Sequence, residues 1–263
     1  MANEERFDGH VARAARDIAR ALVPVCCPGC GHDDVRWCQE CAAPWWDEPV
    51  RSEVGAPRLH RLGAVAPPVW SIVDLEGTAE LMIEAWKDSG RRDLDPFFAD
   101  AAARAALAVS PELKALGELA VVPVPARTAS TRRRGIDLPA LLARRCAQEL
   151  RTMGIDAVAT PVLTMRRAES RGLSARARWR GAQGTMRVAG RLERTRAILL
   201  IDDVMTTGAT LATAMDALTL HNMYVAAALT LAAAPMRSAR GDGGIGWEEE
   251  DDELSDTFDS RRG

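Results

Sequence analysis

The part of the sequence with the most chemistry is a pair of adjacent carboxylates followed by a threonine-rich turn. An apolar run over residues 197–201 precedes the two acids, and small residues follow them. Such a run predicts a buried strand, and open α/β sheets bind their ligands at the carboxyl ends of the strands. The ligand-binding residues predicted from this segment are Asp202, Asp203, Thr206, Thr207, Gly208, Ala209 and Thr210.

The chemistry of this turn is suited to a phosphate. Backbone N–H groups of residues 206–209 would point at an anion on the N-terminus of the next helix, the threonine hydroxyls would add donors, and Gly208 would allow close approach. Asp202 and Asp203 would repel a phosphate, but they can accept hydrogen bonds from sugar hydroxyls or hold Mg²⁺ through its waters. The sequence has no Gly-Lys-Ser/Thr, which excludes a P-loop. Phosphate, diol and metal together predict a ribose 5-phosphate ligand.

Four cysteines near the N-terminus form two pairs, each with two residues inside it and seven residues between the pairs. This spacing closes around one tetrahedral Zn²⁺ with no open position, which is typical of a structural site. Two disulfides and plain buried cysteines are the alternatives, disfavoured by a reducing cytosol and by the repeated spacing. Cys26 and His32 are close enough in sequence to compete as ligands. The predicted ligands are Cys27, Cys30, Cys38 and Cys41.

The acid pair and its turn closely resemble the phosphoribosyl pyrophosphate (PRPP) motif of type I phosphoribosyltransferases, in which two acids precede Thr-Thr-Gly-x-Thr. With the cysteine knuckle and three further segments, the chain resembles the ComF/GntX family over residues 26–235. Those segments are Pro123-Val-Pro125, Arg134-Gly135, and Arg178 after Gly172-Leu173-Ser174. The resemblance implies a PRPP-binding protein that uses Mg²⁺, in a family linked with DNA uptake and competence.

The resemblance also implies roles for residues outside the turn. In the family a lysine near the end of an early helix precedes a glycine, as Lys87 precedes Gly90, so Lys87 joins Asp202 and Asp203 as a candidate catalytic residue. A surface lysine that covers apolar area with its stem is the plain alternative. Arginines follow a predicted strand where these enzymes form a pyrophosphate loop, and guanidinium groups hold phosphate oxygens bidentately. The arginines predicted to bind pyrophosphate are Arg127, Arg132, Arg133 and Arg134. Ser170 and Gly181 depart from the family pattern, and no acceptor can be named.

The elements that must position these residues alternate between strand and helix. Strands are predicted over residues 69–73, 119–124, 157–163, 197–201 and 224–231. Helices are predicted over residues 78–87, 96–109 with Asp95 as N-cap, 138–153 and 209–221. Alternating strands with continuous apolar runs predict an α/β fold. The expected architecture is a parallel sheet with flanking helices, of the type I phosphoribosyltransferase kind, preceded by a small zinc-ribbon-like knuckle.

The predicted organisation has five parts. They are an amphipathic N-terminal helix over 1–25, the zinc knuckle over 26–41, a linker over 42–68, a phosphoribosyltransferase-like domain over 69–234 and an acidic disordered tail over 235–263. The chain has 263 residues and no apolar run long enough for a transmembrane helix. Its first twenty residues carry acids and arginines where a signal peptide would be apolar, so we expect a cytoplasmic protein without membrane contact.

Charge is distributed very unevenly along the chain. Residues 127–196 hold 17 arginines, no lysine and five acids, a net charge of +12, whereas the remainder carries −15. Such a segment suits phosphates or an acidic partner, although a solvated helix surface is the plain alternative. We therefore keep a second hypothesis, a non-catalytic PRPP sensor that contacts single-stranded DNA or DNA-uptake proteins. A zinc-ribbon nucleic-acid protein is disfavoured, because Trp179 is the only aromatic residue in the basic segment.

Overall fold

The computed structural model describes residues 25–60, 65–126, 136–165, 186–190 and 196–235. The helix predicted at the N-terminus and nearly all of the predicted acidic tail lie outside these residues. Within them the main sheet has six strands in the order β1-β2-β8-β7-β3-β4. Its strands are β1 (Val50–Arg51), β2 (Val69–Asp74), β3 (Leu119–Pro123), β4 (Ala157–Ala159), β7 (Ala197–Met205) and β8 (Val225–Ala233).

All neighbouring strands of this sheet run parallel except the short edge strand β1, which pairs antiparallel with β2. The helices are α1 (Gln39–Ala42), α2 (Gly77–Lys87), α3 (Asp95–Ala108), α4 (Ser110–Lys114), α5 (Leu138–Thr152) and α6 (Ala209–Thr219). The predicted α/β class, with a mostly parallel sheet and flanking helices, is confirmed. Strand β7 is longer than predicted, since it continues four residues past Ile201.

Two apolar clusters sandwich the sheet. The larger joins helices α2, α3 and α5 to one face, with Met82, Phe98 and Leu142 fully buried. The smaller joins helix α6 to β7 through Leu211 and Ile198. Because β7 contributes buried side chains to both clusters, it lies at the centre of the molecule and delivers its carboxyl end between two packed layers.

The strand predicted over residues 157–163 is wrong in its second half. Strand β4 ends at Ala159, and the chain turns through Pro161, which has no N–H to continue the ladder. Val162 N–H donates to Thr160 O at 2.9 Å in this turn. The next strand, β5 (Leu163–Met165), pairs antiparallel with β6 (Met186–Val188) in a separate two-stranded sheet.

Asp95 is not the N-cap of α3 but its first residue. A 3-10 turn over Arg92–Leu94 leads directly into the helix, so that the backbone of Asp95 is already helical. Its carboxylate accepts hydrogen bonds from Trp86 Nε1 at 2.8 Å and Arg92 Nε at 2.9 Å. An N-cap carboxylate does occur at α5, where Asp137 accepts from Ala140 N at 3.3 Å.

The segment predicted as a linker is, where described, packed structure. It contains 3-10 turns over Ala43–Trp46 and Glu53–Gly55, separated by β1. Trp45, Ala56 and Leu59 are buried in it, Trp45 at 1% exposure. Its prolines and scattered charges hid this packing, because short turns give no helical or strand period in the sequence.

Candidate functional site

The two predicted carboxylates lie at the carboxyl end of β7 and are both buried, Asp202 at 6% and Asp203 at 9% exposure. Asp202 Oδ1 accepts a hydrogen bond from Asp203 N at 2.8 Å. Lys87 Nζ lies 2.8 Å from Asp203 Oδ2 and forms an ion pair with it. The structure therefore brings together the three residues predicted to be catalytic, because helix α2 ends beside the carboxyl end of β7.

Burial is the main influence on the electrostatics of Asp202. Burial raises the pKa of Asp202 well above its usual range, and the neighbouring charge of Asp203 raises it further. Burial also raises the pKa of Asp137, with a smaller contribution from Asp203.

Asp137 is a residue near the site that the sequence analysis missed. It caps α5, and the charge of Asp203 acts on it. Its position directly before Leu138-Pro139 was a signal, since proline at the first turn of a helix often follows an N-cap acid.

The predicted phosphate turn connects β7 to α6. Gly208 has φ 75° and is the N-cap of α6, and its carbonyl accepts the first helical bond from Ala212 N at 2.9 Å. The positive φ explains the glycine, because other residues rarely adopt it. Thr206, Thr207 and Thr210 are exposed, so their hydroxyls are accessible to a ligand.

The side of Gly208 where a Cβ would point is not open to a ligand. A Cβ there would lie 2.8 Å from Leu59 Cγ and 2.9 Å from Ala56 Cβ. Arg58 N–H, in the same segment, donates to Thr207 O at 3.0 Å. The predicted reason for Gly208, room for an anion, is therefore incomplete, since this face of the glycine is filled by residues 56–59 of the segment predicted to be a linker.

The predicted pyrophosphate arginines, Arg127, Arg132, Arg133 and Arg134, lie outside the described residues. So do Ser170, Gly181 and twelve of the seventeen arginines of the basic segment. Of the arginines in that segment that are described, Arg196 lies just before the amino end of β7, far along the strand from Asp203. Its Nη2 is 3.2 Å from Asp156 Oδ2, and its Nε is 3.8 Å from Glu118 Oε2.

The four predicted metal ligands form one compact cluster. The sulfurs of Cys27, Cys30, Cys38 and Cys41 all lie within 4.8 Å of one another. Cys38 Sγ is 3.5 Å from Cys30 Sγ and 3.8 Å from Cys27 Sγ. A tetrahedral ion with bonds of about 2.3 Å to sulfur needs sulfurs about 3.8 Å apart, so the residues fit zinc. The cluster could hold a metal ion such as zinc, and neither Cys26 nor His32 belongs to it.

Backbone N–H groups around this cluster favour the ionised form of Cys27. Burial opposes ionisation of Cys27, but N–H groups of Cys38, Cys30 and Gly29 outweigh it and lower the pKa of Cys27 to about 6. Burial and the neighbouring thiols instead raise the pKa of Cys41. Gly29 is required by packing, since a Cβ there would lie 2.8 Å from Cys41 Sγ.

The knuckle is joined to the α/β core by side chains as well as by the chain. Arg91, four residues after Lys87, donates from Nη1 to Cys26 O at 2.9 Å and from Nη2 to Arg36 O at 3.0 Å. The ring of Trp37 packs at a tilt against that of Phe97 in α3, with ring centroids 5.0 Å apart. Cys27 and Cys41 belong to the larger apolar cluster. The knuckle therefore packs against the helices that flank the candidate ligand site.

The carboxylates at the end of β7 do not form a comparable cluster. Within the described part of the chain, the four cysteines are the only group of three or more His, Cys, Asp or Glu side chains close enough to hold a metal ion.

In the same described residues, no helix has the length and apolarity needed to span a membrane. Neither a scan against protein-family models nor a search of the curated proteins finds a match for this chain.

Proposed function

We propose that this protein is a phosphoribosyltransferase-like protein of the ComF type that binds PRPP at the β7–α6 turn. The observation that carries the proposal is the combination at one strand end of two buried carboxylates and a turn with three exposed threonines. A strand, turn and helix serving only the fold gain nothing from an acid buried as deeply as Asp202, since burial penalises its charge. Because burying the Asp202 carboxylate costs stability, its presence favours a ligand that binds to it.

The ribose 5-phosphate part of PRPP would be bound by groups of this arrangement. The 5-phosphate would occupy the N-terminus of α6, where N–H groups and the helix dipole favour an anion. The ribose hydroxyls would donate to Asp202 and Asp203. Asp202 and Asp203 would hold Mg²⁺ through its waters, and the ion would supply positive charge to neutralise the pyrophosphate. Lys87 would balance the Asp203 carboxylate, which its ammonium already contacts.

For transfer, the bond between C1 of the ribose and pyrophosphate would break through an oxocarbenium-like state, and the acceptor would attack C1. The catalytic contribution expected is stabilisation of the departing pyrophosphate by Mg²⁺ and by positioned donors. The arginines at 127 and 132–134 are the proposed source of those donors.

Titration calorimetry with PRPP and with ribose 5-phosphate, with and without Mg²⁺, tests the proposal. We expect both ligands to bind, with Mg²⁺ strengthening PRPP binding more. Asp203→Asn removes a charged acceptor, which contributes about 1.5 to 3 kcal/mol, so PRPP should bind about tenfold more weakly or worse. Asp74→Asn is the matched control, because Asp74 ends the parallel strand β2 but is exposed.

Measuring pyrophosphate release in the presence of candidate acceptor bases then distinguishes a transferase from a non-catalytic PRPP sensor. Turnover would identify a transferase. Binding of PRPP without turnover would identify a sensor. Failure of wild-type protein to bind either ligand at millimolar concentration would contradict both.

A further inference from the structure

The segment over residues 53–60, called the strap below, contacts the predicted phosphate turn from outside the motif. Its Arg58 N–H donates to Thr207 O at 3.0 Å, and its Leu59 and Ala56 fill the space beside Gly208. Leu59 is 5% exposed and Ala56 is fully buried. The strap thus covers one side of the turn, whereas Thr206, Thr207 and Thr210 are exposed.

The strap is itself firmly held. The buried carboxylate of Glu53 accepts from Val69 N at 3.1 Å and pairs with the Arg51 guanidinium. His60 Nε2 lies 2.9 Å from Glu53 O and links the two ends of the strap. With β1 paired to β2 just before it, the strap is anchored to the same sheet that carries Asp202 and Asp203.

A hydroxyl chain reinforces that anchor. Ser52 Oγ, directly before the strap, is 2.7 Å from Ser71 Oγ, which is 2.7 Å from Thr230 Oγ1. Thr230 is the register partner of Asp202 on the neighbouring strand. The strap and the acid pair are therefore fixed to each other through three adjacent strands.

The bond from Arg58 determines which way one peptide unit faces. In a trans peptide the carbonyl and the following N–H point in opposite directions. Because Thr207 O points to the strap, Gly208 N–H points away from it. A peptide flip would reverse both groups, placing a carbonyl dipole where the anion should bind. Positive φ at Gly208 makes such a turn easy to flip unless it is held.

We propose that the strap is a positioning element of the ligand site, which holds the Thr207–Gly208 peptide with its N–H aimed at the phosphate of a sugar phosphate. This inference rests on the proposed function, since it assigns the strap a task at that same site. Leu59 is the key side chain, because it packs on Gly208 next to the bond that Arg58 makes.

The test follows wild-type and variant protein labelled with ¹⁵N, using ribose 5-phosphate as ligand and ribose as the probe without phosphate. In Leu59→Ala we expect amide hydrogen exchange at Arg58, whose N–H donates to Thr207 O, to accelerate about tenfold. Ribose 5-phosphate should bind about tenfold more weakly, a change of about 1.4 kcal/mol. A purely structural role for Leu59 would lower the melting temperature without this selective loss of phosphate affinity.

Two controls lie in the same strap. Val54→Ala changes a side chain that is 65% exposed, and Arg58→Ala keeps the backbone N–H that makes the bond. Both should leave the exchange protection of the amide at residue 58 unchanged. If Leu59→Ala unfolds the protein, Leu59→Val provides a milder variant with an intermediate effect.

The outcomes separate the two proposals. Binding of ribose 5-phosphate by wild type with equal affinity in Leu59→Ala and Leu59→Val would overturn the role of the strap and leave the proposed function standing. No binding by wild type would overturn the proposed function, and the inference with it.

Discussion

The cysteine knuckle and the β7–α6 turn are two sites built in opposite ways. The knuckle takes its four sulfurs from residues 27–41, and local N–H groups lower the pKa of Cys27 to about 6. The turn depends on Lys87 and on residues 56–59, which are distant from Asp203 and Gly208 in the sequence. Local construction makes the knuckle visible from spacing alone, whereas the turn is complete only after the sheet has folded.

The comparison also shows that the two sites are not separate. Helix α2 meets the knuckle through Thr78, whose Cβ would lie 3.2 Å from a Cβ on Gly29, and Arg91 binds the knuckle beyond the other end of the helix. Lys87 ends the same helix at Asp203. We therefore expect disturbance of the knuckle to reach the turn.

The largest effect is expected from breaking the knuckle. Cys27→Ser should abolish stoichiometric zinc and lower the melting temperature strongly, because zinc binding energy is folding energy and Cys27 lies in the larger apolar cluster. Metal analysis and thermal unfolding measure both. Cys26→Ser is the matched control, since Cys26 is exposed and lies outside the cluster of sulfurs. Equal zinc loss in both variants would contradict the assigned ligand set.

The next largest effect concerns the Lys87–Asp203 ion pair. Both side chains are mostly buried, so Lys87→Met leaves a buried carboxylate without its cation and should cost about 3 kcal/mol of unfolding free energy. Urea unfolding of Lys87→Met, Asp203→Asn and the double variant should give a coupling energy of about 1 to 3 kcal/mol. Additive effects would show that the two groups do not interact.

A smaller effect is expected at the joint between the sites. Arg91→Ala removes two exposed hydrogen bonds, to Cys26 O and Arg36 O, each worth about 0.5 to 1.5 kcal/mol. Competition with a zinc chelator should show roughly tenfold weaker zinc retention. Arg91→Lys keeps the charge but not the fork, so it should restore only part of the affinity. Unchanged retention in Arg91→Ala would mean that the knuckle holds its metal without this joint.

The smallest effect is a pH dependence from Asp202. Its pKa is raised in the folded protein by burial, so the folded state binds more protons than the unfolded state above the ordinary pKa of an aspartate. Stability from this group is therefore present at low pH and is lost as the pH rises through the folded pKa. Asp202→Asn should make the melting temperature depend less on pH and should raise it at alkaline pH. The same dependence of melting temperature on pH in Asp202→Asn and wild type would contradict a raised pKa of Asp202.

Sequence reasoning reached features with a local signature and missed those without one. The apolar run before Asp202 predicted a buried strand, and the glycine after Thr207 predicted the start of α6. The sequence predicts a linker over the strap, because 3-10 turns have no sequence period and the contact of the strap with Gly208 joins residues far apart in the chain. Asp95 was misplaced since a preceding 3-10 turn, not its side chain, starts the helix.

The central claim is that the β7–α6 turn binds the phosphate of a ribose 5-phosphate ligand. The most direct measurement is amide chemical shift mapping of ¹⁵N-labelled protein during titration with ribose 5-phosphate. We predict saturable shifts at the amides of residues 206–210, which ribose at the same concentration does not produce. Saturable shifts confined to other residues, or none up to millimolar ligand, would contradict the account.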